Sequence, residues 1–206
     1  MSSVVALVAS YLLGAIPTSY LVAKHVAGID LRQHGSNNLG ATNLYRVLGW
    51  RYAIPVGIFD LLKGAVPVWI FGPMAGGGAW LPVLCGAMAV VGHVFSVFAR
   101  FKGGKGVATG AGVVLAMAPW AFAVALVVWV VTVRLSGYVS LGSVLAAVVF
   151  PVAAYVLHPA RRSTLWLNVA LAALVIIMHR ANIVRLLNGT ESRFGRSASS
   201  TTAPPT

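Results

Sequence analysis

Runs of about twenty apolar residues, set one after another, constrain this chain more than any other feature. A helix needs roughly 20 such residues to cross about 30 Å of hydrocarbon. Stretches of that kind cover 3–24, 50–71, 79–98, 140–157 and 163–178. A sixth region, 106–134, is longer than one crossing needs and shorter than two ordinary ones. Pro119 stands near its middle, and Gly106, Gly110 and Gly112 crowd its start. Helix breakers are tolerated at membrane depth where protein or water surrounds them, so the region reads as two short helices hinged near Pro119. Composition agrees, with 59% hydrophobic and 9% charged residues against about 25% charged in soluble domains. The expected fold is an all-α integral membrane protein with seven transmembrane helices. A single polytopic domain is expected over 1–196, followed by a disordered tail over 197–206 where the chain turns small and polar.

Charge gives the sidedness. Fifteen Lys and Arg face three Asp and Glu, for a net +12. Lys24, Arg32, Arg46 and Arg51 surround the first long loop, Arg100, Lys102 and Lys105 fill the loop after 79–98, and Arg180, Arg185, Arg193 and Arg196 follow the last span. The positive-inside rule places all three groups on the cytoplasmic face. Splitting 106–134 puts an even number of crossings between the second and third groups, with the N-terminus outside, although Arg161 and Arg162 then face outward, against the rule; a five-span arrangement that fuses or omits segments satisfies the parity too. Met1-Ser2-Ser3 lacks the positive region of a secretory signal, so the first apolar stretch is expected to stay.

The same counts exclude chemistries. Asp30, Asp60 and Glu191 are too few for most metal-dependent or carboxylate-pair sites, and Cys85 alone builds neither an intramolecular disulfide nor a cysteine zinc site. No metal or cofactor is expected. A nucleic-acid binder is as basic but not as apolar, so no nucleic-acid partner is expected.

Three polar islands break the apolar pattern. The first, GSNNLGATNLYR (35–46), offers backbone N–H groups, hydroxyls and an arginine fork suited to a phosphate; Gly35, Ser36, Asn38, Thr42, Asn43 and Arg46 are its candidates. A plain polar turn would also explain it. The second, GHVFSVFARFKGGKGVAT (92–109), holds Lys102, Gly103, Gly104, Lys105 and Gly106. Glycines let backbone wrap an anion while lysine adds compact charge, although the spacing is not that of a Walker A loop. Snorkelling lysines alone leave those glycines without a purpose. In the third, HRANIVRLLNGTESRFG (179–195), His179, Asn182 and Arg185 share one helical face, as they also would in an amphipathic interfacial helix. Inside the second span, Asp60 and Lys63 sit at i, i+3 and are expected to form a structural ion pair. Ser140 and Ser143 enter the 140–157 helix from the islands' side.

Together the islands resemble the bacterial acyl-phosphate:glycerol-3-phosphate acyltransferases, the PlsY family, over nearly the whole chain to Gly195. The resemblance implies a seven-helix inner-membrane enzyme with its site toward the cytoplasm. It would move an acyl chain from acyl phosphate to the 1-hydroxyl of sn-glycerol 3-phosphate, releasing lysophosphatidic acid and phosphate in phospholipid synthesis. Its partners would be those substrates, membrane lipids and the enzyme that makes acyl phosphate. By motif position, Ser36, Arg46, Lys105, His179 and Asn182 match the family's essential residues, Ser143 a middle-region serine, and Glu191 a structurally important glutamate. Two departures stand out: Asn37 replaces the second glycine of GSGNxG, and Ser96 stands where proline follows GHxF.

Other readings compete with this one. His25 and Asp30 fit the HxxxxD pattern of the other large glycerolipid acyltransferase family, but its acidic arginine-binding context is missing from this chain. A small-anion transporter or channel also uses basic loops and broken helices, and its polar groups should line a path through the bilayer.

Overall fold

In hydrocarbon every backbone N–H and C=O must find its partner inside the chain, which makes helix the form an apolar run takes. The computed structural model describes residues 1–194 and contains no strand among them. Its helices are α1 (Ser3–Ala15), α2 (Thr18–Ala27), α3 (Ala41–Leu48), α4 (Trp50–Val66), α5 (Gly72–Met74), α6 (Leu81–Val94), α7 (Val107–Met117), α8 (Pro119–Ser136), α9 (Val139–Leu157), α10 (Leu165–Met178) and α11 (Arg180–Leu187). A π-helical turn, Pro67–Phe71, carries α4 into α5. Arg196 and the expected tail over 197–206 lie outside the described residues.

Among the described residues, five stretches are long and apolar enough to cross a membrane: Ser3–Ala27, Trp50–Met74, Leu81–Ala99, Pro119–Ser136 and Val139–Leu157. α10 with α11, bent by 57°, makes a sixth if counted as one span. With 11 residues, α7 is only about 16 Å long, so length and composition do not by themselves give the count of seven. The hinge falls at Ala118, and Pro119 opens α8 at the position where its missing N–H is no loss. α8 is longer than expected. It runs for 18 residues past Arg134 to Ser136, where left-handed Gly137 ends it, because an exposed arginine stem can follow apolar surface while its head reaches water.

α1 packs on α6, α4 on α7, and α8, α9 and α10 in series. Small residues allow the close crossings: Gly14 meets the backbone at Ala89, and Gly64 the backbone at Thr109. The two ends of this bundle differ. At one, the Met1 amine reaches the Met74 carbonyl at 3.4 Å and Trp80 stacks on Trp166. At the other, Lys105 meets Asn182, Arg46 reaches the Ser192 carbonyl, and the Phe194 N–H donates to the Gly137 carbonyl. The loop after α6 and the segment after α11 therefore share one end, as the basic residues require.

Between α1 and α2 the helix breaks at Ile16-Pro17, freeing carbonyls that hydrocarbon cannot satisfy. Ser96 Oγ donates to the Ala15 carbonyl, and Lys63 Nζ to the Ile16 carbonyl at 2.9 Å. The expected ion pair forms, with Lys63 Nζ 2.8 Å from Asp60 Oδ1 and side chains only 1% and 3% exposed. Thr18 Oγ1 donates to the same carboxylate. Ser96, a departure from the family pattern, thus has a structural task that proline could not perform.

Candidate active site

The first polar island folds around one amide. Asn43, 1% exposed, accepts from the Ser36 N–H at 2.7 Å and donates to the carbonyls of Leu31, His34 and Asn38. Its side chain is spent on shaping the loop rather than left open for a ligand. Gly35, at φ +61°, sits where a Cβ would strike the Asn43 carboxamide oxygen. Asn37 has φ +58°, the left-handed region a glycine would occupy. Asparagine is among the few L-residues that visit that region readily, so the departure leaves the turn intact. Asn37→Ala should lower stability by about 1 kcal/mol, through the strain of a Cβ at positive φ, whereas Asn37→Gly should be neutral within about 0.5 kcal/mol. Thermal unfolding in detergent measures both; equal melting of the alanine and glycine variants would contradict the strain argument.

The second and third islands meet in a chain of hydrogen bonds. Lys105 Nζ donates to Asn182 Oδ1 at 2.5 Å, and Asn182 Nδ2 donates to Glu191 Oε1 at 2.6 Å. Glu191 also accepts from Ser140 Oγ and from Arg185 Nε, each at 2.7 Å. Burial alone would raise the Glu191 carboxyl, but the Asn182, Ser140 and Arg185 bonds outweigh it and hold the pKa below the usual carboxylate value. Burial pushes Lys105 down to about 8, with Glu191 supporting its charge and Arg185 and Arg46 opposing it. Arg46 Nε is buried without a hydrogen-bond partner among the described residues, a donor held ready for an anion. The His179 ring uses Nδ1 on the Val175 carbonyl at 2.7 Å. Because a carbonyl only accepts, Nδ1 carries the proton and Nε2 is left as the open acceptor.

These groups surround a cavity of about 420 Å³. Ser36, Asn38, Thr42, Asn43, Arg46, Lys105, Gly106, His179, Asn182 and Glu191 line it, as do Asp60, Ser140 and Ser143. The hydroxyl protons of Ser140 and Ser143 are already committed, to Glu191 and to the Val139 carbonyl. Lys102, Gly103, Gly104, Gly35 and Lys63 do not line this cavity. Gly104 serves by its size, since a Cβ there would strike His93 Nε2 and the Leu39 carbonyl. His93 and Trp129, which are not among the sequence candidates, also line the cavity. Below the polar groups an apolar slot continues between α7, α8, α9 and α10, with Ala111, Phe122 and Ala146 common to slot and cavity. The polar groups that line the cavity cluster at one end of the bundle. Among the described residues no group of three or more His, Cys, Asp or Glu could hold a metal ion.

The family model described as glycerol-3-phosphate acyltransferase matches residues 4–189. The chain belongs to that family. Glycerol-3-phosphate acyltransferases of Trichlorobacter lovleyi and Desulforudis audaxviator are each 48% identical to it, over 90% of this chain and 94% and 92% of theirs. Among solved structures, PlsY, an integral membrane glycerol 3-phosphate acyltransferase crystallised in its glycerol 3-phosphate form, superposes with a TM-score of 0.87 at 39% identity. That match covers 94% of this chain and 96% of the other. PlsY in its lysophosphatidic acid form matches with a TM-score of 0.85. In this fold residues of all three islands, far apart in sequence, line one cavity.

Proposed function

We propose that this chain is a membrane acyltransferase that moves an acyl group from acyl phosphate to the 1-hydroxyl of glycerol 3-phosphate, giving lysophosphatidic acid and phosphate. One observation carries the reading: a cationic, hydrogen-bonding cavity opens directly into an apolar slot between helices. A long-chain donor needs both at once, since each buried CH₂ contributes about 0.8 kcal/mol and its phosphate must be kept out of hydrocarbon.

Arg46 and Lys105 hold phosphate oxygens, with the Ser36 hydroxyl and loop amides orienting them. His179 Nε2 accepts a hydrogen bond from the attacking glycerol hydroxyl and fixes its direction. The hydroxyl oxygen forms a bond to the acyl carbon, the bond from that carbon to the phosphate oxygen breaks, and the departing phosphate takes the proton. The mixed anhydride is already activated, so positioning and charge stabilisation carry the rate. Asn182, fixed by Glu191, orients Lys105. The basic residues at the site's end favour a cytoplasmic-facing site in the inner membrane, with seven crossings when α7 and the bent pair α10–α11 are counted. The enzyme that makes acyl phosphate is then a natural neighbour.

The test is to supply purified protein with palmitoyl phosphate and labelled glycerol 3-phosphate, with and without a chelator, and to measure lysophosphatidic acid. Product from the thioester of coenzyme A but not from acyl phosphate would overturn the donor. Anion uptake into vesicles without acyl transfer would favour a transporter.

A further inference from the structure

The two loops that wall the substrate cavity have a second face. Ser36 and Asn38 line the cavity while Asn37 between them lines a different space, and Lys105 lines it while Lys102 and Gly103 do not. That different space is an open cleft of about 490 Å³ whose other walls are Asp30, Arg32, Gln33 and Arg100. It shares no lining residue with the substrate cavity.

Charge in this cleft is unbalanced. The Asp30 carboxylate is taken by Arg32, with Nη2 to Oδ2 at 2.7 Å and Nε to Oδ1 at 3.0 Å, and this pairing holds Asp30 down to about 2. Arg100 and Lys102 have no hydrogen bond or ion pair with the described side chains, so two cations face the cleft with no counter-charge. The backbone is unusual at the same place. Arg100 at φ +54° and Phe101 at φ +59° are consecutive non-glycine residues in the left-handed region. The Phe101 N–H donating to the Ser96 carbonyl and the Lys102 N–H to the Ala99 carbonyl hold them there. Strain of this kind persists where surroundings over-determine it, often at ligand sites. A neighbouring cleft between Tyr20, Phe98 and Arg100 continues the surface, with Phe98 58% and Phe101 62% exposed. Cations beside exposed aromatics at the end of a spanning helix fit an amphiphile at the membrane surface better than a soluble anion.

We propose that this cleft binds the phosphodiester headgroup of an anionic membrane lipid, gripped by Arg100 and Lys102 with its apolar part beside Phe98, and that occupancy steadies both catalytic loops from behind. The site does not depend on which reaction the cavity performs; its effect on turnover rests on the acyl-transfer reading above.

The full chain is placed in nanodiscs of phosphatidylcholine, with or without phosphatidylglycerol. Native mass spectrometry reads retained phosphatidylglycerol, and kinetics read KM and kcat for glycerol 3-phosphate. Phosphatidylglycerol should be retained and should lower the wild-type KM about fivefold, a common size for coupling between sites. Arg100→Gln should lose both effects while keeping wild-type kinetics in neutral discs. Gln33→Glu puts a carboxylate in the cleft without touching the strained backbone, and should behave the same even if Arg100→Gln fails to fold. Arg134→Gln removes a charge from the last turn of α8 and should keep the response. Undiminished retention in both cleft variants overturns the site, as does equal loss in Arg134→Gln, which would mark a general charge effect. Soluble glycerophosphoglycerol lowering KM in neutral discs overturns the lipid as occupant. Lost retention with an unchanged KM overturns the link to the loops. An absence of acyl transfer in every disc would count against the reaction, while Arg100-dependent retention would still support the cleft.

Discussion

Lys105→Met should lower kcat/KM for glycerol 3-phosphate on the order of 10³-fold, at the upper end for loss of one well-placed donor to developing charge. Stability should change little, because burial already disfavours the ammonium and methionine fills the same space. Arginine should not rescue, since its planar fork cannot replace a point charge donating to Asn182 Oδ1. The pH profile adds an independent check. With Lys105 lowered to about 8, the empty enzyme loses the charged form as pH rises through that value. The substrate phosphate becomes a dianion above about pH 6, so kcat/KM should plateau between these limits and fall on the alkaline side. A bound phosphate favours the ammonium, so kcat should fall at higher pH than kcat/KM does. A kcat/KM that stays level through the alkaline range would remove Lys105 from phosphate binding.

Glu191→Ala should reduce turnover about 100-fold and lower the melting temperature sharply. Truncation leaves the buried Ser140 and Asn182 groups without their acceptor, at about 1–3 kcal/mol for each group left unpaired, while Arg185, 41% exposed, can turn to water. Asn182 is then free to turn, and Lys105 loses its fixed partner. Because the folded pKa is lowered, the carboxylate's stabilisation is present above the unfolded value of about 4.3 and is lost as pH falls through the folded one. The acid limb of a melting-temperature profile should therefore flatten in Glu191→Ala. Glu191→Gln keeps an acceptor for Ser140 and Asn182 but turns an amide toward Arg185, so it should fall between the two in both assays. Wild-type melting and turnover in the alanine variant would reduce Glu191 to a bystander.

The membrane architecture was legible because hydrocarbon demands long apolar runs, and the three islands were legible because everything around them is greasy. Side-chain direction within loops was not. Helix and strand have a period that says which residues share a face, whereas Ser36, Asn37 and Asn38 alternate between two cavities in a loop turned by left-handed Asn37 and tied down by Asn43. For the same reason Lys102 and Lys105, three residues apart, point into different spaces. Asn43, expected as a ligand donor, lines the cavity with its amide already hydrogen-bonded inside the loop, since a buried amide serves either end equally well. His93 carried a signal, standing in the quoted second island, but nothing local reveals that its ring meets Gly104. The length of α8 was underestimated because Arg134 looks like an end, and the stopping residue is Gly137.

Residues 188–194 form a clasp. Glu191 joins α9 to α11, Arg193 reaches the Tyr138 hydroxyl, and Phe194 stacks on Tyr45 with ring centroids 4.6 Å apart. A chain cut before Glu191 would keep α1 to α11 and lose the carboxylate that holds Asn182 against Lys105, so truncation there should cut turnover while leaving the apolar helices in place.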